Sequence, residues 1–229
     1  MTWKDTSGRS LADYPRPSLA VDVALLTVRS DEEGDRQLCV LLHRRGEGFA
    51  DGDWALPGTF VREGERLVDA VRRGVADKLG LRTRAPRQLA VFDAPGRDTR
   101  GHVVTVAHVD LLPETSLAPV DSSLWTLAPV VGLRLRLPDR QRRLPFDHDD
   151  IVTSAVAWAR SRYERRPDPS RLLPEPFTLR ELRLLHEAVL GEPLFKDTFR
   201  RRMEPQLELT GEKSSGVRGP RAAMYRRSS

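Results

Sequence analysis

Leu56-Pro57-Gly58-Thr59-Phe60-Val61-Arg62-Glu63-Gly64-Glu65, carried on through Leu67 to Leu81, is the stretch whose reading decides the fold. It begins as a glycine-punctuated loop and becomes an amphipathic helix. Leu67, Ala70, Val71, Val75 and Leu79 recur at the spacing of one helical face, and Gly80 is placed to stop it.

The pattern resembles the Nudix box, the signature of enzymes that hydrolyse nucleoside diphosphates linked to another group. In that family a glycine-bearing loop leads to a glutamate, then to a helix reading Arg-Glu-hydrophobic-x-Glu-Glu-x-Gly-hydrophobic. Here the loop glutamate corresponds to Glu65, the arginine to Arg73, and the closing pair to Gly80 and Leu81, with the spacing intact. Where the family has its three helix glutamates, this chain has Gly74, Asp77 and Lys78. Positions 74 and 78 lie one turn apart on the same face, the arrangement by which two carboxylates converge on Mg²⁺. A glycine supplies no ligand and an ammonium repels the cation. Asp77 is left alone to hold the ion that must neutralise a diphosphate and activate water. The expectation is a Nudix scaffold that keeps its pocket and has lost its catalysis: no enzyme, no catalytic residue, no metal and no cofactor. Glu65 and Arg73 are expected to survive as a loop-to-helix ion pair.

Bulk properties bound the remaining possibilities. The 229 residues are enough for a mid-sized domain and a small second one, and 39% hydrophobic with 31% charged residues describes a soluble protein. No signal-peptide pattern follows Trp3-Lys4-Asp5, and the apolar run from Leu19 to Val28 is too short to span a bilayer. Cys39, the single cysteine, lies in an apolar run and reads as buried packing, which fits a cytoplasmic protein without disulfides. The net charge of +5 is concentrated: Phe195 to Ser229 holds nine Lys or Arg against four Asp or Glu, which accounts for the whole excess. A local basic surface suits a polyanion, above all a nucleic acid.

Along the chain, Leu19 to Val28 and Gln37 to Leu42 read as buried strands joined by the turn from Asp31 to Asp35, and so as a hairpin. Arg44 to Trp54 leads into the box. Arg87 to Phe92 and His102 to Leu112 read as two further strands. Their joining loop carries Arg97 and Arg100, which are either forks for phosphate oxygens or the solvated charges of a hairpin loop. Val131, Leu133, Leu135 and Leu137 alternate with Arg134 and Arg136 like a strand with one wet face. Phe146 to Asp150 opens a helix whose inner stripe is Ile151, Ala155, Trp158 and Ala159. His43, His102, His108 and His148 lack metal-ligand spacing. Arg165-Arg166-Pro167-Asp168-Pro169 ends the helix and reads as an interdomain linker.

Beyond it, Thr178-Leu179-Arg180-Glu181 is a capping box opening a helix with Leu179, Leu182, Leu185, His186 and Val189 inward and Gly191 as its stop. A second helix runs near Asp197 to Met203, with Phe195, Phe199 and Met203 inward and Lys196, Thr198, Arg200, Arg201 and Arg202 outward. One anchored side and one guanidinium-bearing side is what a major-groove recognition helix needs. Gln206 to Thr210 and Arg221 to Arg227 read as strands, with Met224 and Tyr225 inward, around a polar turn holding Lys213 and Arg218. A capped helix, a basic helix and a basic hairpin describe a winged helix-turn-helix with Lys196, Thr198, Arg200, Arg201, Arg202, Lys213, Arg218 and Arg221 on DNA.

Ala20-Val21-Asp22-Val23, Trp54-Ala55-Leu56-Pro57-Gly58, the run Leu173 to Leu182, Phe199-Arg200-Arg201 and Met224-Tyr225-Arg226 together resemble the Nudix-related transcriptional regulators of NAD biosynthesis genes in bacteria. The resemblance implies an α+β protein: a Nudix α/β/α sandwich at 1–166 that senses an effector, then a winged helix-turn-helix at 170–229. It further implies a repressor of NAD biosynthesis or salvage genes, ADP-ribose or a related NAD metabolite as effector, homodimerisation, and a palindromic double-stranded operator. Arg44, Trp54, Thr59, Arg97 and Arg100 are the candidate ligand-binding residues. Alternatives are a sugar-responsive regulator of the same build and a weak Nudix hydrolase using Glu65 and Asp77.

Overall fold

The computed structural model describes residues 3–30, 34–46, 48–117, 124–214 and 221–228; Arg218 and the turn at 31–33 lie outside them. A mixed sheet is built from β1 (Ser18–Ser30), β2 (Arg36–Arg44), β3 (Trp54–Ala55), β4 (Gly58–Phe60), β5 (Arg87–Phe92), β6 (Val103–Leu111), β7 (Trp125–Val131) and β8 (Arg134–Leu135). Its order is β5-β6-β1-β2-β7-β8, with β3 on β2 and β4 on β1. β1 and β2 form the expected antiparallel hairpin, while β1 and β6 run parallel.

β1 reads as a continuous apolar run because both of its faces are covered. Val21, Val23 and Leu25 pack beneath α1 (Leu67–Leu79), together with Val71, Val75 and Leu79. Ala24 and Leu26 face the other way, toward Ile151, Ala155 and Ala159 of α2 (His148–Tyr163). This is the α/β/α sandwich. Gly80 ends α1 in the left-handed conformation, at φ 64°.

The second module contains β9 (Phe177–Thr178), α3 (Leu179–Leu190), α4 (Lys196–Met203), β10 (Leu207–Lys213) and β11 (Ala223–Arg227). The capping box is present: Glu181 N–H donates to Thr178 Oγ1 at 3.1 Å, and Thr178 N–H donates to Glu181 Oε2 at 2.7 Å. Such a cap contributes about 1 kcal/mol. Phe177, Leu182, Phe199, Met203 and Tyr225 form the local core. The wing sheet is three-stranded, because β9 pairs with β11.

Several expectations are corrected. The stretch 131–137 is not one strand: Gly132, at φ 64°, turns the chain between β7 and β8. Phe195 precedes α4 and is 87% exposed instead of facing its core. Of Met224 and Tyr225, neighbours on opposite faces of β11, only Tyr225 joins the core. Within the stretch 165–169, Arg165 and Arg166 are exposed but Asp168 is 0% exposed. α3 also belongs to both modules, because its Leu185 and Val189 pack into the core shared by β1, β2 and α2.

Candidate functional site

A cavity of about 240 Å³ opens between the box and the N-terminus of α2, lined among others by Asp22, Arg45, Thr59, Lys78, Arg97 and Arg100. Strand parity aims Asp22 there: Ala24 and Leu26, on the same face of β1, pack against α2. Its Oδ1 lies 3.4 Å from His148 Nε2 and its Oδ2 lies 3.4 Å from Arg97 Nη2. Burial pushes the Asp22 carboxyl up, but His148 and Arg97 outweigh it and hold the group at about 2. Gly58 is needed beside it, because a β-carbon there would stand 2.0 Å from Asp22 Oδ1.

The Arg97 side chain is 4% exposed and also donates through Nε to Asp147 Oδ2 at 2.7 Å, so the interdomain helix α2 is tied at its N-cap residue to the loop between β5 and β6. His148 is fixed on its other side, where Leu56 N–H donates to Nδ1 at 3.1 Å. Asp22 and His148 carried no role in the sequence reading. A lone carboxylate inside the apolar run of β1 was the available signal.

The mouth of the cavity is aromatic and cationic. Phe146 adopts φ 59°, rare for a bulky residue, and its ring lies 5.5 Å from that of Phe49. The Arg100 guanidinium sits 5.7, 5.9 and 5.3 Å from the rings of Phe49, Phe60 and Phe146. It also donates to Asp98 Oδ2 at 2.6 Å. Such cation–π contacts contribute about 0.5–1 kcal/mol each at exposed sites.

Of the five candidate ligand residues, Thr59, Arg97 and Arg100 line the cavity. Arg44 and Trp54 do not. They are cross-strand partners in the β2–β3 pair, with the guanidinium 5.7 Å from the indole. Trp54 is a core residue, 6% exposed, whose Nε1 donates to Asp139 Oδ2 at 3.0 Å. Arg45, one position on, turns to the cavity and stands 5.2 Å from the Phe146 ring.

The box residues behave unequally. Glu65 and Arg73 form the expected pair, with Arg73 Nε and Nη2 donating to its two oxygens at 2.8 Å each. Those bonds hold the Glu65 carboxyl at about 2. Gly74 is buried against Thr59, Asp77 is exposed, and Lys78 reaches the cavity.

At its far end, α2 enters the second module. Asp168 accepts from Tyr163 Oη at 2.8 Å and from the N–H groups of Leu172 and Leu173 at 2.9 and 2.8 Å, and pairs with Arg227 of β11. His186 of α3 accepts the Asp168 N–H at 3.2 Å. Arg202 is exposed as expected, but its Nη1 is engaged, donating to the Glu164 carbonyl at 3.0 Å. Lys196, Thr198, Arg200 and Arg201 are all exposed, and of these Arg200 is paired with Glu204 at 2.7 Å. Lys213 and Arg221 are exposed at the described ends of the wing.

A Nudix sandwich with a charged cavity, joined through α2 to a winged helix, is the class of protein that this geometry defines. Residues 19–145 match the family model described as the NUDIX domain, and 169–227 match that of the NrtR DNA-binding winged helix domain. The "ADPR responsive transcriptional repressor NtrR" of Acinetobacter baylyi is 32% identical over 223 residues, which is 94% of this chain and 84% of that protein. The crystal structure of Shewanella oneidensis NrtR complexed with a 27mer DNA superposes with a TM-score of 0.72 at 32% identity, covering 92% of this chain and 93% of that one. The NUDIX domain of the same protein complexed with ADP ribose gives a TM-score of 0.52 at 27% identity, covering 66% and 94%. The ADP-ribose pyrophosphatase of Methanocaldococcus jannaschii is 32% identical over 146 residues, 63% of this chain and 76% of that enzyme. The chain belongs to the NrtR family of Nudix proteins bearing a winged helix.

Proposed function

We propose that the chain is an ADP-ribose-responsive transcriptional repressor without hydrolase activity, acting in the cytoplasm on NAD biosynthesis or salvage genes. The observation that carries the reading is α2: one helix has Asp147 and His148 at the effector cavity and Tyr163 at the Asp168 cluster that closes the winged helix. Residues 1–166 form the effector module and 170–229 the DNA-binding one. In the cavity, Arg45, Lys78, Arg97 and Arg100 face the diphosphate, Thr59 borders it, and Phe49, Phe60 and Phe146 stack on the adenine. On DNA, Lys196, Thr198, Arg201, Lys213, Arg218 and Arg221 make the contacts, while Arg200 and Arg202 hold α4 in place.

Two copies bind a palindromic operator as a homodimer. A ligand that draws Arg97 away from Asp147 favours a different setting of α2 and thereby mis-spaces the two recognition helices. The test is direct: select genomic fragments with the purified protein, then titrate ADP-ribose into the complex in a mobility-shift assay. The expected result is a symmetric site released by ADP-ribose; a complex indifferent to ADP-ribose removes the effector.

The likeness to an ADP-ribose pyrophosphatase favours a second reading, a slow hydrolase. Turnover of ADP-ribose with Mg²⁺ or Mn²⁺, lost on Asp77→Ala, would establish it. Against it stand the exposed position of Asp77 and the commitment of both Glu65 oxygens to Arg73.

A further inference from the structure

The positions that would hold a divalent cation in a Nudix enzyme do not fit one here. Gly74 offers no donor and Thr59 fills the space beside it, Asp77 is exposed, and Glu65 gives both oxygens to Arg73. Among the described residues no group of three His, Cys, Asp or Glu converges on a point.

Lys78 brings a different charge to the same wall. Its ammonium lies 3.5 Å from Nε2 of His43, whose Nδ1 faces the Arg44 carbonyl at 3.1 Å. Burial and then the Lys78 charge hold His43 at about 4, so at neutral pH Nε2 meets the ammonium as a lone pair, without a compensating charge. Burial, followed by Arg45, also lowers Lys78 itself. The acids of the cavity are taken: Asp22 by Arg97 and His148, Asp98 by Arg100. Among the described residues no carboxylate lies within ion-pair distance of Lys78. A half-buried cation whose hydrogen-bond partner is a neutral imidazole, with no carboxylate in ion-pair contact, is stabilised by an incoming anion.

We propose that the Lys78 ammonium, assisted by Arg45, binds the diphosphate of the effector in place of a divalent cation, so that effector recognition is independent of metal. This rests on the cavity being the effector site. The residue that removes the metal from the box thus supplies the charge the metal would have given, and turns a hydrolytic wall into a binding one.

Calorimetry on the full chain tests it, with ADP-ribose, ADP and inorganic pyrophosphate each titrated in EDTA and in Mg²⁺. The affinities should agree within about twofold between the two buffers. Lys78→Gln should weaken all three by at least about tenfold, whereas Lys78→Arg, which keeps the charge, should retain binding. Thermal melts of both variants verify that they fold. Binding that vanishes in EDTA, or survives unchanged in Lys78→Gln, overturns the proposal. If ADP-ribose releases DNA only with Mg²⁺, the repressor reading stands and this one falls. If ADP-ribose does not bind while pyrophosphate binds in a Lys78-dependent way, the effector's identity falls and this proposal stands.

Discussion

The γ-methyl carbon of Thr59 stands 2.9 Å from the point a β-carbon on Gly74 would occupy, so these two residues share one space at the base of the cavity. The two are complementary: the Thr59 side chain in the loop fills the room that Gly74 leaves on the helix. Restoring a glutamate at 74 alone therefore meets the Thr59 methyl. In the parent, Gly74→Ala should destabilise by about 1–2 kcal/mol, the clash outweighing the better helix propensity of alanine. In a Thr59→Ser background, which removes the methyl and keeps the hydroxyl that accepts from Arg73, the same change should be neutral or stabilising. Urea unfolding of the four proteins gives the coupling energy, and additive effects would refute the shared space.

The Asp168 cluster makes a larger claim. Asp168→Ala strips partners from Tyr163, from two backbone N–H groups and from Arg227, whose side chain is only 9% exposed. The expected cost is about 3–5 kcal/mol, the range for breaking a buried ion pair on one side. Differential scanning calorimetry should show both modules melting together at lower temperature; an unchanged melt would place the joint elsewhere.

Recognition and positioning arginines on α4 should separate by experiment. Arg201 is exposed without an ion pair among the described residues, so Arg201→Ala should lower operator affinity by about 1–3 kcal/mol and reduce its salt dependence. Arg202→Ala removes the bond to the Glu164 carbonyl and should chiefly change how strongly ADP-ribose shifts DNA binding. Fluorescence anisotropy across a salt series, with and without ADP-ribose, distinguishes the two. Identical behaviour of the variants would count against the division.

Acid should weaken the fold in a defined window. His43 and His186 are both held at about 4, well below the ordinary 6.5, chiefly by burial. Between those values the unfolded chain takes up protons that the folded chain refuses, so stability falls as pH drops from about 6.5 to 4, by about 1.4 kcal/mol per pH unit for each histidine. Asp22, held at about 2, contributes in the opposite part of the range, its stabilisation fading only below about pH 4. Denaturant midpoints from pH 7.5 to 4 test this, and His186→Asn should flatten the slope by one proton. A flat profile in the parent would contradict the neutral, buried imidazoles.

Much of this architecture was legible because its determinants are local. The spacing of Val71, Val75 and Leu79 gives α1 its buried face, Gly80 stops it, and Thr178 with Glu181 caps α3 through bonds spanning three residues. What escaped depends on contacts far apart in the chain. Arg44 and Arg45 have the same chemistry, and only the pairing of β2 with β3 turns one onto Trp54 and the other into the cavity. Asp168 reads as a proline-flanked turn until Arg227, 59 positions later, folds back onto it. Phe195 looks like the start of the α4 stripe, yet the helix begins one residue after it.

α2 has 16 residues and no break, so it is about 24 Å long. A rod of that length converts rotation into travel: a tilt of about 5° at the cavity end moves the other end by about 2 Å, more than a hydrogen bond tolerates. The effector need not send a relay of side-chain rearrangements through the sheet, since leverage alone suffices. Mutations scattered through the strands should therefore tune stability while leaving the signal intact, and a single proline midway along the rod should leave a protein that still captures its metabolite but no longer reports it.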